Sequence, residues 1–258
     1  MKKFETIIYE EANFIATITL NRPEVKNAIS GKMKDELREA FASMLLEPRV
    51  RVVIITGGTE SFCAGADLKD LPETGPMDRI VTRRDHPVHI IENFSKPVIA
   101  AVAGPAYGGG LEIALACDLR IAATNARFAL SEIKLGVIPQ AGGTQRLPRI
   151  VGLTYAKEMI FTGDPVDAAK ALAIGLVSKV VETEKLMQEA LSIAKKLADQ
   201  APLALQMAKK AIDVGIKLDM DSALDFELAC ATVLKDTEDR KEGIQAFKEK
   251  RKPVFKGK

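Results

Sequence analysis

Glu112 and Glu132 each stand among apolar residues punctuated by glycine, Glu112 in Gly108-Gly109-Gly110-Leu111-Glu112-Ile113-Ala114-Leu115 and Glu132 in Phe128-Ala129-Leu130-Ser131-Glu132-Ile133-Lys134-Leu135-Gly136. Carboxylates avoid such surroundings unless paired, hydrogen-bonded or protonated, because desolvation disfavours the charged form. Two of them at one site can divide acid and base duties on a bound molecule. A third segment, Phe62-Cys63-Ala64-Gly65-Ala66-Asp67-Leu68, offers small residues whose backbone N–H groups a ligand can approach closely. Together the three segments read as an active site.

Each segment alone has a plainer reading. A glutamate early in a helix is equally a favourable charge near the positive end of the dipole. Glu132 beside a short apolar strand is equally a solvated strand end, and Gly108 to Gly110 a tight turn. Other chemistries lack their signatures. No G-x-G-x-x-G follows a strand, and there is no Walker loop or G-x-S-x-G elbow. His86 and His89, the only histidines, form an H-x-x-H pair without further ligands nearby, so no metal site is expected.

The elements that must position these residues follow from periodicity. Phe14 to Leu20 alternates as a strand and Asn21-Arg22-Pro23 breaks it. Ser30 reads as the N-cap of a helix to about Leu46, with Met33, Leu37, Ala40, Phe41, Met44 and Leu45 on one face. Arg51 to Thr56 and Pro97 to Val102 read as buried strands, with a mixed, charged segment from Leu71 to His86 between them. Gly108 to Cys117 is a buried helix, Leu119 to Ala122 and Arg127 to Leu130 two short strands around a turn, and Val177 to Val181 a last strand. Strand, turn and helix thus recur as an α/β core over residues 1–183. From Glu184 onward only helices fit: Leu186 to Asp199, Pro202 to Leu218, Ser222 to Leu234 and Glu238 to Lys250. This region, 184–258, is expected to pack its apolar faces on another subunit.

Bulk properties agree. The 258 residues are 47% hydrophobic and 28% charged, with a net charge of +2, so no overall field calls for nucleic acid or an acidic membrane. Cys63, Cys117 and Cys230 are scattered in apolar contexts, as reduced thiols of a cytoplasmic protein would be. Glu5, Glu10 and Glu11 interrupt any signal-peptide apolar region, and no apolar run approaches a membrane span.

Several motifs, in order, carry a family resemblance: Leu20-Asn21-Arg22-Pro23, then Gly104-x-Ala106-x-Gly108-Gly109-Gly110-x-Glu112, Cys117-Asp118, Ser131-Glu132-x-Lys134-Leu135-Gly136 and Gly142-Gly143-Thr144-Gln145-Arg146-Leu147. The chain resembles the enoyl-CoA hydratase (crotonase) family over essentially its whole length. The resemblance implies an α/β spiral of ββα units with an all-helical C-terminal trimerisation unit, assembled as a trimer or a dimer of trimers. It implies a hydratase that acts on an α,β-unsaturated acyl-CoA and needs no separate cofactor, since CoA arrives with the substrate. Other family reactions, such as isomerisation or hydration of branched or cyclic dienoyl-CoA, stay open. Near-neutral charge argues against an RNA binder on this fold.

Residue by residue, the resemblance implies that Ala66 and Gly109 supply the oxyanion-hole N–H groups. Ala64, Asp67, Leu68 and Lys69 fall in the loop that cradles CoA, and Phe247 and Lys250 match positions reaching a neighbouring subunit's CoA. Glu112 would orient and deprotonate the water attacking C3, and Glu132 deliver a proton to C2. Gln140 stands where typical hydratases carry glycine, near the acyl end, and is the candidate for specificity.

Overall fold

Strand pairs followed by a helix repeat along the chain; the first pair is a hairpin within one sheet, and the later pairs divide between two sheets. The computed structural model describes residues 3–70 and 86–258, so all but the last residue of the expected charged segment 71–86 lies outside the described residues. β1 (Ile7–Ala12) and β2 (Ile15–Leu20) form an antiparallel hairpin through Asn13 and Phe14, both left-handed. The sequence reading missed β1, although Ile7-Ile8-Tyr9 carries strand-forming residues. Ser30 caps α1 (Gly31–Met44) by accepting the Met33 N–H at 3.1 Å. The expected α1 face is buried from Met33 to Met44, while Leu45 lies beyond the helix and is exposed.

β3 (Val52–Thr56) is followed, after the undescribed stretch, by α2 (Pro87–Glu92), a short helix not anticipated from sequence. β4 (Val98–Val102) then runs into β5 (Pro105–Tyr107) and α3 (Gly109–Ala116). β6 (Leu119–Ala123), β7 (Arg127–Ala129) and α4 (Gly143–Thr162) repeat the pattern. β8 (Val166–Asp167), α5 (Ala168–Ala173) and β9 (Lys179–Val181) complete it. The larger sheet has the order β1-β2-β3-β4-β6-β9, parallel from β2 onward, and the smaller has the order β5-β7-β8. The two short strands read around one turn, β6 and β7, therefore do not pair: β6 extends the large sheet and β7 the small one.

β3 and β4 are buried on both faces, as their unbroken apolar runs require. One face, with Val53, Ile55, Val98 and Ala100, packs towards α1 and α3. The other, with Val52, Ile54, Ile99 and Ala101, is covered by Leu186, Ala190, Ala194 and Ala198 of α6 (Leu186–Ala198). The expected break near Thr183 thus precedes a helix whose four-residue stripe belongs to the sheet's own packing. The helices that bury little are α7 (Pro202–Gly215), α8 (Met220–Val233) and α9 (Glu238–Lys248).

Asn27, which the sequence reading passed over, ties the loop after β2 to the loop after β3. Its Oδ1 accepts the Arg22 N–H at 2.8 Å, and its Nδ2 reaches the carbonyls of Ser61 at 2.8 Å and Gly57 at 3.1 Å. It is buried and left-handed, a conformation asparagine tolerates better than most residues. Asn27→Ala strands these buried groups and should cost roughly 1–3 kcal/mol. The urea-unfolding midpoint measures this; an unchanged midpoint would show that the two loops are held without Asn27.

Candidate active site

Helix α3 begins where four chain segments converge. Its first residue, Gly109, keeps an N–H that no intrahelical carbonyl can accept, at the positive end of the helix dipole. Among the described residues that N–H has no hydrogen-bond partner. The loop carrying Ala66 lies alongside: a Cβ built on Gly109 would stand 3.8 Å from the Ala66 nitrogen. Ala66 forms a parallel bridge with Ile29, in which the Ile29 N–H donates to the Gly65 carbonyl at 2.8 Å and the Ile29 carbonyl accepts from Asp67 at 3.1 Å. In that pattern the residue between the two bonded ones turns its own N–H away. The free Ala66 and Gly109 N–H groups are therefore neighbours by construction.

Close approach of two backbones makes this possible. Cys63 donates its N–H to the Pro105 carbonyl and accepts from Tyr107, both at 2.9 Å, which docks the loop onto β5. A Cβ on Gly110 would lie 2.2 Å from the Cys63 carbonyl oxygen, so only glycine lets α3 start this close. Burial pushes the Cys63 thiol up to about 12, which makes it an inert core residue beside the site.

Glu112, one turn into α3, is 3% exposed. Its Oε1 accepts two backbone N–H groups from the start of α4, Ala141 at 2.7 Å and Gly143 at 2.8 Å. Burial raises its pKa, while those two bonds and the Arg146 charge pull the other way. Glu132 opens a 3-10 turn (Glu132–Leu135), not a strand end, and its Oε1 lies 3.2 Å from where a Cβ of Gly108 would stand. Burial and then the negative charge of Glu112 raise its pKa, against its own backbone N–H. Its Oε2 is buried with no hydrogen-bond partner among the described residues. A buried, orphaned carboxylate oxygen facing a second carboxylate is where a proton or a small polar ligand belongs.

The remaining expected residues are placed unevenly. Ala64, Leu68 and Lys69 flank the Ala66 N–H on the same loop, Leu68 and Lys69 exposed. Asp67 turns its carboxylate inward to Arg22, 3.0 Å away, and accepts the Lys69 N–H, so it shapes the loop rather than facing outward. Gln140 directly precedes Ala141 and is exposed. Phe247, 86% exposed, and Lys250 lie at the end of α9 and form no hydrogen bond or ion pair with the other site residues. His86 accepts the Val88 N–H as the cap of α2, and His89 lies 3.6 Å from Glu92. Among the described residues no cluster of histidine, cysteine and carboxylate could hold a metal ion, and no helix is long and apolar enough to cross a membrane.

A family model described as enoyl-CoA hydratase/isomerase matches residues 10–258. The chain belongs to the enoyl-CoA hydratase/isomerase family. It is 43% identical over 253 residues to (E)-benzylidenesuccinyl-CoA hydratase of Thauera aromatica, covering 97% of this chain and 99% of that protein. It is 42% identical over 259 residues to the short-chain-enoyl-CoA hydratase of Clostridium acetobutylicum, covering 97% of each. The crystal structure of enoyl-CoA hydratase from Bacillus anthracis superimposes with a TM-score of 0.94 at 41% identity, covering 98% of this chain and 100% of that one. The fold is thus the crotonase spiral with a helical C-terminal region, and the chain is an enzyme of this family.

Gly110→Ala tests the backbone approach that sets the two free N–H groups side by side. Overpacking against a main-chain carbonyl costs roughly 1–3 kcal/mol, which outweighs the at most ~1 kcal/mol alanine gains in a helix. Net destabilisation is therefore expected in urea melts; a stabilised variant would mean that the Cys63 segment yields freely.

Proposed function

We propose that the enzyme is an enoyl-CoA hydratase, a hydro-lyase that adds water across the C2–C3 double bond of an α,β-unsaturated acyl-CoA to give a 3-hydroxyacyl-CoA. The observation that carries this reading is the buried Glu112 and the half-buried Glu132, both with raised pKa but in unlike surroundings, beside two free N–H groups. Glu112 has two N–H donors and a guanidinium charge favouring its ionised form. Glu132 has an unpartnered oxygen and faces the Glu112 charge, which favour its protonated form.

In this mechanism the thioester oxygen accepts the Ala66 and Gly109 N–H groups, which stabilise the enolate charge as it develops. Glu112 takes a proton from water as the oxygen bonds to C3, and Glu132 gives its proton to C2. The proton gained by Glu112 is then exchanged through solvent to restore Glu132. No cofactor is required beyond the CoA carried by the substrate. Gln140, adjacent to the Ala141 donor, is our candidate for selecting the acyl group. The buried, unpaired cysteines fit a cytoplasmic enzyme.

Hydration of crotonyl-CoA, followed as loss of enoyl-thioester absorbance, is the direct test. Glu112→Gln and Glu132→Gln should each lower the rate at least roughly a hundredfold in folded protein. The wild-type kcat/KM should be bell-shaped in pH: activity falls at low pH as Glu112 protonates and at high pH as Glu132 ionises. Because both pKa values are raised, the acid limb should lie above the ordinary glutamate range. Inactivity of the wild type on every enoyl-CoA of a chain-length panel would sink the hydratase reading.

We further propose a homo-oligomer, a trimer or a dimer of trimers. Ile212, Ile216, Met220, Leu224, Leu228 and Val233 are exposed on or beside α7 and α8, more apolar surface than an isolated chain ordinarily leaves bare. Assembly would also bring the exposed Phe247 and Lys250 to a neighbouring CoA. Light scattering behind size exclusion should give a multiple of three; a fully active monomer at nanomolar concentration would overturn this.

A further inference from the structure

We propose that Arg146, held in place by Glu92, is a positioning residue that sets the loop whose N–H groups hold Glu112. The inference rests on the hydratase reading and extends it to two residues that reading leaves without a role. Arg146 lies in the first turns of α4, and its guanidinium is engaged on three sides. Nε donates to Glu92 Oε1 at 3.0 Å and Nη2 to Glu92 Oε2 at 2.6 Å, a planar fork on the carboxylate. The remaining terminal nitrogen, Nη1, donates to the Ala141 carbonyl at 2.6 Å.

That carbonyl belongs to the peptide lying, along the chain, between the Ala141 and Gly143 N–H groups. Both N–H groups point at Glu112 Oε1. Rotating the intervening peptide would swing one or both donors away from the carboxylate. Its neighbour Gly142 offers no resistance by itself, because glycine at φ 106° is free to move elsewhere. The guanidinium supplies the missing restraint. It occupies the space a side chain would need, since a Cβ on Gly142 would stand 2.0 Å from Nη1.

A fold-stabilising role alone would not require this geometry. Buried ion pairs are commonly replaceable by apolar groups with no loss of stability. What an apolar side chain or a lysine cannot do is grip a carboxylate bidentately and still hold a carbonyl. The Arg146 side chain is 11% exposed, so the three contacts are made with little competition from water.

The charges bearing on this unit come from three elements, and they include Asp213 of α7, whose pKa the Glu92 charge helps to raise. Glu132 faces Glu112 from the 3-10 turn. His86, at the cap of α2, and His89 and Glu92, within it, interact with Arg146 or its partner carboxylate. Lys217, just beyond α7, acts on Glu92. Removing the guanidinium removes one influence that keeps Glu112 ionised and loosens the two N–H bonds that are the others. The Glu112 pKa should therefore rise, and the base should be lost at a higher pH than in the wild type.

The test uses the full-length enzyme with crotonyl-CoA. Arg146→Met should lower kcat by roughly tenfold to a hundredfold, as small misplacement of a catalytic group does, with KM within about threefold. The acid limb of kcat/KM should move to higher pH. Arg146→Lys keeps the charge without the fork, and should recover the pH limb more than kcat. Glu92→Gln should act in the same direction as Arg146→Met but less, and the double variant should lose no more than Arg146→Met alone, because Glu92 acts through Arg146. Independently of turnover, hydrogen exchange by mass spectrometry should quicken in a peptide spanning residues 139–145. If Arg146→Met does not fold, Arg146→Lys and Glu92→Gln are judged by the same kinetics and exchange. Folded variants with wild-type kcat, pH limb and exchange would overturn the proposal. A wild type that hydrates no enoyl-CoA would instead overturn the function, while the exchange measurement still decides the positioning role.

Discussion

The burial of one carboxylate organises this molecule. Glu112 sits in the first turn of a helix that is otherwise wholly apolar, inside a core that would drive an unpartnered charge to neutrality. Two main-chain N–H groups, from Ala141 just before α4 and from Gly143 at its start, meet one of its oxygens and oppose the rise in its pKa. Gly142, Gly143 and Arg146 are shaped around that contact. Gly143 cannot carry a side chain, since a Cβ there would stand 2.8 Å from Pro139 and 3.2 Å from the Glu112 oxygen itself. The large sheet presents α3, and the start of α4 closes over it. Loss of either would leave the carboxylate as an ordinary buried acid.

The second half of the site is made entirely of backbone. Ala66 and Gly109 contribute nothing through their side chains except smallness. Their N–H groups are free for two unrelated reasons, the alternation of a parallel bridge and the unsatisfied first turn of a helix. Preorganised donors of this kind reorient little during reaction, which is why they stabilise developing charge better than water does. Asn27 and the Arg22–Asp67 pair hold the loop from outside the site, so that its geometry is set before any ligand arrives.

These origins explain what the sequence could disclose. Glu112 and Glu132 were legible because charge in an apolar run is improbable without a purpose. The buried strands β3 and β4 and the helix α3 were legible as apolar runs, and the helices α1 and α6 by the apolar stripe each turns to the sheet. β5, β7 and β8 are too short for periodicity, and their sheet is assembled only by the spiral; β7 is legible as a strand, but its sheet is not. Arg146 was visible only as a letter within a motif, because its role depends on a carbonyl five residues earlier and a carboxylate from α2. Asn27 gave one faint signal, a left-handed-tolerant residue after a broken strand. The helical region was recognised as helical, but whether α6 covers the sheet or another subunit is decided by a stripe of Leu186 and three alanines meeting a β-sheet face, which one-dimensional patterning does not distinguish.

Two glutamates whose pKa values are both raised would be redundant if their surroundings were alike. They differ in where the opposing forces come from. Hydrogen bonds and a cation restrain the rise at Glu112, whereas at Glu132 the neighbouring negative charge adds to burial. There the charge of Glu112 and burial raise the pKa against the Glu132 backbone N–H. The hydrogen bonds and cation at Glu112 thus favour its ionised form more than anything at Glu132 does. Addition of water needs one group that takes a proton and one that gives it, on opposite ends of the same double bond. Two carboxylates in unlike surroundings suit that division of labour, and the difference between them rests on the loop that holds Glu112.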